Sequence, residues 1–368
     1  MVSDHESLGL AADISKVLAN GLPQLRVRLS PQLQQEAQRQ NITDPADIID
    51  KVRIASQQTS LVDTKPTAAW WDPVTLETAL ARLVYGSNMI ESAGSTLVIT
   101  TQLCRAVFRD QVSEINIDIE ETDPTYQEHL AHLHATNRPA DHQNVVASRR
   151  EIVQHAQALA HMINHIVLAK KPWSEQLILD THRILHAGLD DDVEAGKYRP
   201  YEVAVKYEKP GQKHKQKPSL CMRARAVPGY MREMVSHLNH DVGEGGSSVA
   251  TPIDPYTLAA RYHHQFVNIH PFGDGNGRMS RIILNSLLLR YAGHISEIGL
   301  DVEEREEYIG IATRASRVFH SEDMEVDFEE HTGHRELATF ILAKSKRSLE
   351  RMWHWVAGKE EGNGEGSK

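Results

Sequence analysis

The stretch IHPFGDGNGRMSR, Ile269 to Arg281, gathers one histidine, one acid, three glycines and two arginines into thirteen residues. His270, whose residue type titrates near neutrality, suits a general base. Pro271 prevents a preceding helix from simply continuing, and Gly273, Gly275 and Gly277 let the backbone turn sharply. A new helix then begins around Asn276–Arg278. The free N–H groups of its first turn form an anion site that bare glycines allow a ligand to approach closely. Arg278 and Arg281, three residues apart, both project near that end of the helix, towards a polyphosphate. Asp274 supplies a hard oxygen ligand suited to Mg²⁺ bridging phosphates. Such a set favours phosphoryl or nucleotidyl transfer without a covalent enzyme intermediate. The work is positioning, charge neutralisation and the removal of one proton from an incoming hydroxyl.

Three similar-looking glycine motifs are excluded by their own requirements. A P-loop needs GxxxxGK and then Ser or Thr, and this stretch has no lysine. A dinucleotide fingerprint needs GxGxxG after a strand, but Gly275 and Gly277 are followed by Ser280, and a helix pattern precedes them. A calcium loop starting at Asp274 needs Asp or Asn at 278 and Gly at 279, where Arg278 and Met279 stand.

The elements around the motif read as helices. DPYTLAARYHHQFVNIH (254–270) runs into it, and GRMSRIILNSLLLRYAG (277–293), apolar on a broad face, leaves it. DPVTLETALARLVYGSNMIE (72–91), REIVQHAQALAHMINHIVLA (150–169), EEREEYIGIATRASRVF (303–319) and HRELATFILAKSKRSLERMWHWVAG (334–358) have helical spacing too. WSEQLILDTHRILHAGL (173–189) has an N-cap at Ser174 and a stop at Gly188. One stretch differs: GKYRPYEVAVKYEKPGQKHKQKPSL alternates at Val203 and Val205 and turns at Pro210-Gly211, which predicts a small β-hairpin. Its tip carries Lys206, Lys209, Lys213, Lys215 and Lys217, read as a solvated loop, with a docking arm for an acidic protein partner as the alternative.

Composition sets the outer limits. The chain has 368 residues, 40% hydrophobic and 24% charged, with net charge −10, so nothing in the overall balance favours nucleic acid or an anionic membrane. Cys104 and Cys221, the two cysteines, have no metal or redox spacing, as expected for a reducing compartment. There is no secretory signal pattern and no apolar run long enough to span a membrane, so the expectation is a soluble, cytoplasmic protein. Among the 21 histidines, His129, His132 and His134 are the densest group; with no paired Cys or HExxH beside them we read a polar, partly disordered insertion rather than a metal site. The tail GKEEGNGEGSK is too polar and glycine-rich to pack and is expected to be disordered.

The motif HPFGDGNGRMSR resembles the signature of Fic-domain proteins, HxFx(D/E)GN(G/K)RxxR, with every constrained position filled. The resemblance extends over most of 146–345, through LILDTHRILHAGL, GKYRPYEVAV, VPGYMREMV and RYHHQFVNIHPF, the last including His263 seven residues before His270. It implies a mainly α fold: a Fic-type helical core with a small β-hairpin flap and a helical N-terminal segment. It also implies transfer of AMP from ATP, with Mg²⁺, to a protein Ser, Thr or Tyr hydroxyl. His270 would be the base and Asp274 would bind Mg²⁺; Gly275, Asn276 and Gly277 would cradle the α-phosphate, and Arg278 and Arg281 would hold the β- and γ-phosphates. The flap at Val203, Ala204 and Val205 would clamp the target segment by strand addition. Doc-like kinases of the wider family carry Lys where Gly277 stands, so Gly277 favours AMP transfer.

Upstream, YGSNMIES is similar to the (S/T)xxxE(G/N) of Fic proteins with an N-terminal inhibitory helix. Ser87 and Glu91 match, and Ser92 departs from the usual Gly or Asn. A carboxylate brought to Arg281 would occupy the guanidinium meant for the γ-phosphate, and Ser87, one turn earlier on the same face, could fasten that helix. Tyr308 falls where relatives often place aromatic residues lining the adenine pocket. The expected organisation is therefore a helical N-terminal region at 1–65, an inhibitory-helix region at 66–109, a polar linker at 110–145, the Fic core at 146–357 and a disordered tail at 358–368. Expected partners are one or more protein substrates, self-modification and a homodimer among them, with no nucleic acid and no membrane. Removal of AMP from a modified protein, transfer of another nucleotide, and a catalytically vestigial nucleotide-sensing module are the alternatives.

Overall fold

The computed structural model describes residues 9–21, 25–59, 72–189, 195–205, 219–243, 252–322, 326 and 330–356. Helices dominate them. The N-terminal three are α1 (Gly9–Gly21), α2 (Pro31–Arg39) and α3 (Pro45–Thr59). Then come α4 (Pro73–Ile90), α5 (Leu97–Phe108), α6 (Pro124–Ala135) and α7 (His142–Ile163), the last continuing into a π-helical turn at Asn164–Leu168. The part around the motif has α8 (Glu175–Leu185), the strands β1 (Ala204–Val205) and β2 (Ser219–Leu220), and α9 (Val227–Asp241). It ends with α10 (Pro255–Ile269), α11 (Asn276–Tyr291), α12 (Val302–Glu322) and α13 (Arg335–Val356). The predicted mainly α architecture is present. No helix among the described residues is long and apolar enough to cross a membrane.

The centre of the molecule is α11. From Met279 to Leu289 every residue is buried, so its neighbours enclose it on all sides, as a helix apolar over most of its surface requires. It packs against α10 on one side and against α7 and α4 on others, while α10 also carries α9, α12 and α13. The small helices α2 and α3 lie on α13, and α1 lies on α4 and α5. A further tie joins the N-terminal region to the core: Ser30 N–H donates to Asp254 Oδ2 at 2.8 Å, on the same carboxylate that caps α10 through Tyr256 and Thr257. The predicted cap of α8 forms as well, Ser174 Oγ accepting from Leu177 N–H at 3.1 Å.

Helix α4 is part of this core. Asp72 caps its start, accepting from Val74 and Thr75, with Pro73 in the first turn. Leu76, Leu80, Leu83 and Val84 are buried, and Glu77, with no exposure, lies between Arg105 and Arg109 at 2.9 and 2.8 Å. A charge that deep is tolerated only because two guanidinium groups share it.

The segment 110–145 departs from the expected polar linker. Its helix α6 packs on α7, with Tyr126 and Leu133 joining Ile119 and Val145 in a small apolar cluster of their own. His129, buried beneath it, accepts from Arg149 Nη1 at 3.3 Å, and burial pushes its pKa down to about 3, so it is neutral. The apolar positions of α6 are sparse enough to read as polar sequence, yet Tyr126 and Leu133 meet two apolar residues from outside the helix. The lysines of the hairpin tip and the polar tail lie outside the described residues.

Candidate active site

The loop between α10 and α11 forms because its sequence can take two left-handed residues in six. His270 ends α10 at φ 52, ψ 60, and Gly275 precedes α11 at φ 77. A non-glycine residue held left-handed is costly and persists where surrounding contacts enforce it. Here the contacts are numerous. The His270 carbonyl accepts from Arg199 Nε at 2.6 Å, and the ring Nδ1–H donates to the Val267 carbonyl at 3.2 Å. That second bond leaves Nε2 as the free lone pair, the arrangement a general base needs. Burial lowers the His270 pKa below the ordinary histidine value, and the Val267 carbonyl, Glu91 and Asp274 offset only part of that.

Asn276 fastens the loop from inside. Its Oδ1 accepts from Phe272 N–H at 3.0 Å and its Nδ2 donates to the Phe272 carbonyl at 2.8 Å, so one buried side chain satisfies both backbone groups of one residue. Met279 N–H donates to the Gly275 carbonyl, which starts α11. Gly275 itself abuts His186: a Cβ there would stand 2.4 Å from its Nε2.

The charged groups diverge in what they touch. Arg278, 4% exposed, donates from Nη2 to Asp274 Oδ2 at 2.9 Å, while its buried Nε and Nη1 have no hydrogen-bond partner among the described residues. Buried guanidinium donors without acceptors are costly and point to a ligand oxygen. Asp274 is open to solvent. Desolvation against the loop pushes its carboxyl up, but Arg278, the Gly275 N–H and the nearby His186 and His182 together hold it below the usual carboxylate range. An ionised, accessible carboxylate beside an anion site fits Mg²⁺, which commonly takes one or two protein carboxylates and completes its shell with phosphate oxygens and water.

Arg281, 2% exposed, has acceptors on four of its N–H groups. Nε donates to Ser87 Oγ at 2.8 Å, and Nη2 to the Ser87 carbonyl at 3.0 Å and to Glu91 Oε1 at 2.6 Å. Nη1 donates to the Tyr308 hydroxyl at 3.3 Å. The Glu91 carboxylate lies over the first turn of α11: a Cβ on Gly277 would stand 2.1 Å from Glu91 Oε1. Only a residue without a side chain leaves room there for an anion, whether a carboxylate or a phosphate. Ser92, next to Glu91, is held at φ 56, which accounts physically for the Gly or Asn of the pattern it departs from.

Residues proposed for the flap are only partly described. Ala204 and Val205 pair antiparallel with Leu220 and Ser219, and Cys221 N–H donates to the Val203 carbonyl at 3.1 Å. Tyr308 is placed differently from an adenine-lining residue. It is 4% exposed, with its hydroxyl on Arg281 and His263 rather than on an open base pocket.

Two residues of this site have no counterpart in the sequence reading. Arg199, 2% exposed, donates to the His270 carbonyl, to Tyr201 O at 2.6 Å and to Met222 O at 2.5 Å, joining the base to both stems of the hairpin. His182 donates from Nε2 to the Asp274 carbonyl at 3.0 Å and accepts at Nδ1 from Gly196 N–H at 2.9 Å. It stacks on Phe272 with centroids 3.6 Å apart, and burial pushes its pKa down to about 3. Nothing in periodicity marks a residue that serves carbonyls, so neither was legible in the sequence.

With this geometry in view, residues 172–288 match the family model described as the Fic/DOC family. Over that stretch the chain is similar to Fic/DOC domains. Among its relatives, protein adenylyltransferase fic-1 of Caenorhabditis briggsae is 36% identical over 131 residues, 36% of this chain and 22% of that protein. Protein adenylyltransferase Fic of Drosophila virilis is 31% identical over 147 residues, 40% of this chain and 26% of that protein. The chain thus spans about a quarter of the length of the curated relatives it matches. A Fic-domain-containing signalling protein of Bacteroides thetaiotaomicron shares the fold, with a TM-score of 0.53 at 18% identity over 85% of this chain and 99% of that one.

Proposed function

We propose that this chain transfers AMP from ATP to a hydroxyl side chain of a protein and that Glu91 restrains the reaction. The observation that carries the reading is the first turn of α11. It has a bare Gly277, a buried Arg278 with two donors lacking acceptors, and Arg281, all beside a histidine whose Nε2 is free. Relatives named as protein adenylyltransferases support the reaction class.

In this reading the α-phosphate lies on the N–H groups of the α11 first turn, near Gly275, Asn276 and Gly277. Arg278 and Arg281 neutralise the two outer phosphates, and Asp274 would hold Mg²⁺. The metal, when bound, screens phosphate charge and favours departure of pyrophosphate. His270 Nε2 takes the proton from the incoming Ser, Thr or Tyr hydroxyl as that oxygen bonds to the α-phosphorus. The bond from the α-phosphorus to the bridging oxygen breaks, and pyrophosphate leaves. The hairpin at Val203–Val205 presents the target backbone beside His270, and Arg199 couples the two. Glu91, by its 2.6 Å contact to Arg281 Nη2, takes a donor the terminal phosphate needs.

The test is label transfer by Glu91→Gly, from ATP tagged at either the α- or the γ-phosphate, with and without His270→Ala. Label on protein from the α-position alone, lost by two to four orders of magnitude without His270, is expected. Label from the γ-position would make the chain a kinase. Label from neither would shift the reading to AMP removal, to another nucleotide, or to a module that senses nucleotide without turnover.

A further inference from the structure

Arg281 is held from two sides that belong to different parts of the fold. Helix α4 supplies Ser87 Oγ to Nε, and the Ser87 carbonyl and Glu91 Oε1 to Nη2. Helix α12 supplies the Tyr308 hydroxyl to Nη1. A guanidinium has five N–H groups. With Glu91 gone, Nε–H and one N–H of each terminal nitrogen keep their partners. The two N–H groups then left open belong one to Nη1 and one to Nη2, the pair that grips two oxygens of a carboxylate or phosphate in parallel.

Tyr308 is itself braced. Its hydroxyl lies 2.7 Å from Nε2 of His263, a residue 2% exposed on α10. Burial drives His263 well below the ordinary histidine pKa, so it is neutral and its Nε2 accepts from the phenol, which in turn accepts from Arg281. The ring is enclosed too. His263 meets it edge-on with centroids 5.8 Å apart, Phe340 lies tilted at 6.5 Å, and the Arg281 guanidinium sits 5.7 Å from its centroid. With its ring so packed and only 4% of its surface exposed, no face is left for a nucleobase.

We propose that Tyr308, braced by His263, is a positioning residue that fixes Nη1 of Arg281 so that the outer pair of guanidinium N–H groups faces the terminal phosphate of ATP. The inference rests on the phosphate-holding role given to Arg281 above. It assigns Tyr308 to the phosphate end of the nucleotide instead of the base end, and it makes the α10–α12 contact part of the binding machinery.

The experiment is calorimetric binding of ATP with Mg²⁺ and, separately, of AMP, with Glu91→Gly as the parent. Tyr308→Phe keeps the ring and deletes the hydroxyl. It is expected to weaken ATP about ten- to a hundred-fold, the worth of one hydrogen bond to a charged group, and to leave AMP within about two-fold. His263→Phe should reproduce the pattern, and Tyr308→Phe should have no further effect on ATP once Arg281→Ala is present. Equal weakening of ATP and AMP by Tyr308→Phe, or none of either, overturns the proposal. Should Arg281→Ala weaken ATP while Tyr308→Phe does not, only the role of Tyr308 falls. Should Arg281→Ala leave ATP unchanged, the phosphate reading of Arg281 falls and the proposal with it.

Discussion

Between His270 and Asn276 the backbone of the loop is fastened by buried side chains, whereas Glu91 reaches the same site through a single 2.6 Å contact from a carboxylate that is 37% exposed. Both regions stand on core helices: α11 is buried from Met279 to Leu289, and α4 has its own apolar face and a buried, doubly paired Glu77. They differ at the tip. In the loop, Asn276 closes on Phe272, Arg199 on the His270 carbonyl and His182 on the Asp274 carbonyl. At the end of α4 the last turn closes through Ser92 in a left-handed conformation, and Glu91 extends beyond it. The restraint proposed for Glu91 needs this difference, because the loop must keep its shape if the carboxylate leaves.

Loss of Glu91 is expected to have the largest effect. A hydrogen bond to a charged group contributes about 1.5–3 kcal/mol, so Glu91→Gly should raise the initial rate of AMP transfer about ten- to a hundred-fold at matched ATP and Mg²⁺. Next comes the loop. Asn276→Ala strands the N–H and carbonyl of buried Phe272 and should cost about 2–4 kcal/mol, read as a lower midpoint in urea unfolding. An unchanged midpoint would mean the loop is not held as described, and the contrast with α4 would be lost. The smallest effect is expected at the tip of α4. Ser92→Gly relieves a left-handed backbone at the loss of one exposed contact from Arg305, and should raise stability by at most about 1 kcal/mol. A fall of that size would show that Ser92 is held by its side chain.

The sequence exposed the loop because few roles explain its residues together. Three glycines, a proline and an asparagine between two helix patterns restrict the backbone, and an acid and two arginines at the start of a helix restrict the chemistry. Glu91 was legible for another reason: its spacing from Ser87 puts both on one face of an apolar helix. Three features were hidden because each depends on tertiary contact. Arg199 binds carbonyls from three segments, and His182 joins two turns that are 78 residues apart, Gly196 and Asp274. Tyr308, read by position as a base-pocket residue, is set by His263 and Phe340, whose arrangement around it no local pattern announces. Helix α6 was missed because its apolar residues satisfy a cluster of their own instead of the main core.

The central claim is that Glu91 acts through Arg281, and a double-mutant cycle tests it most directly. Initial rates of AMP transfer would be compared for the unaltered chain, Glu91→Gly, Arg281→Ala and the double variant. Glu91→Gly is expected to raise the rate at least ten-fold when Arg281 is present and to give no gain when Arg281 is alanine. An equal gain in both backgrounds would contradict it, because Glu91 would then restrain the enzyme by some route other than the guanidinium it touches.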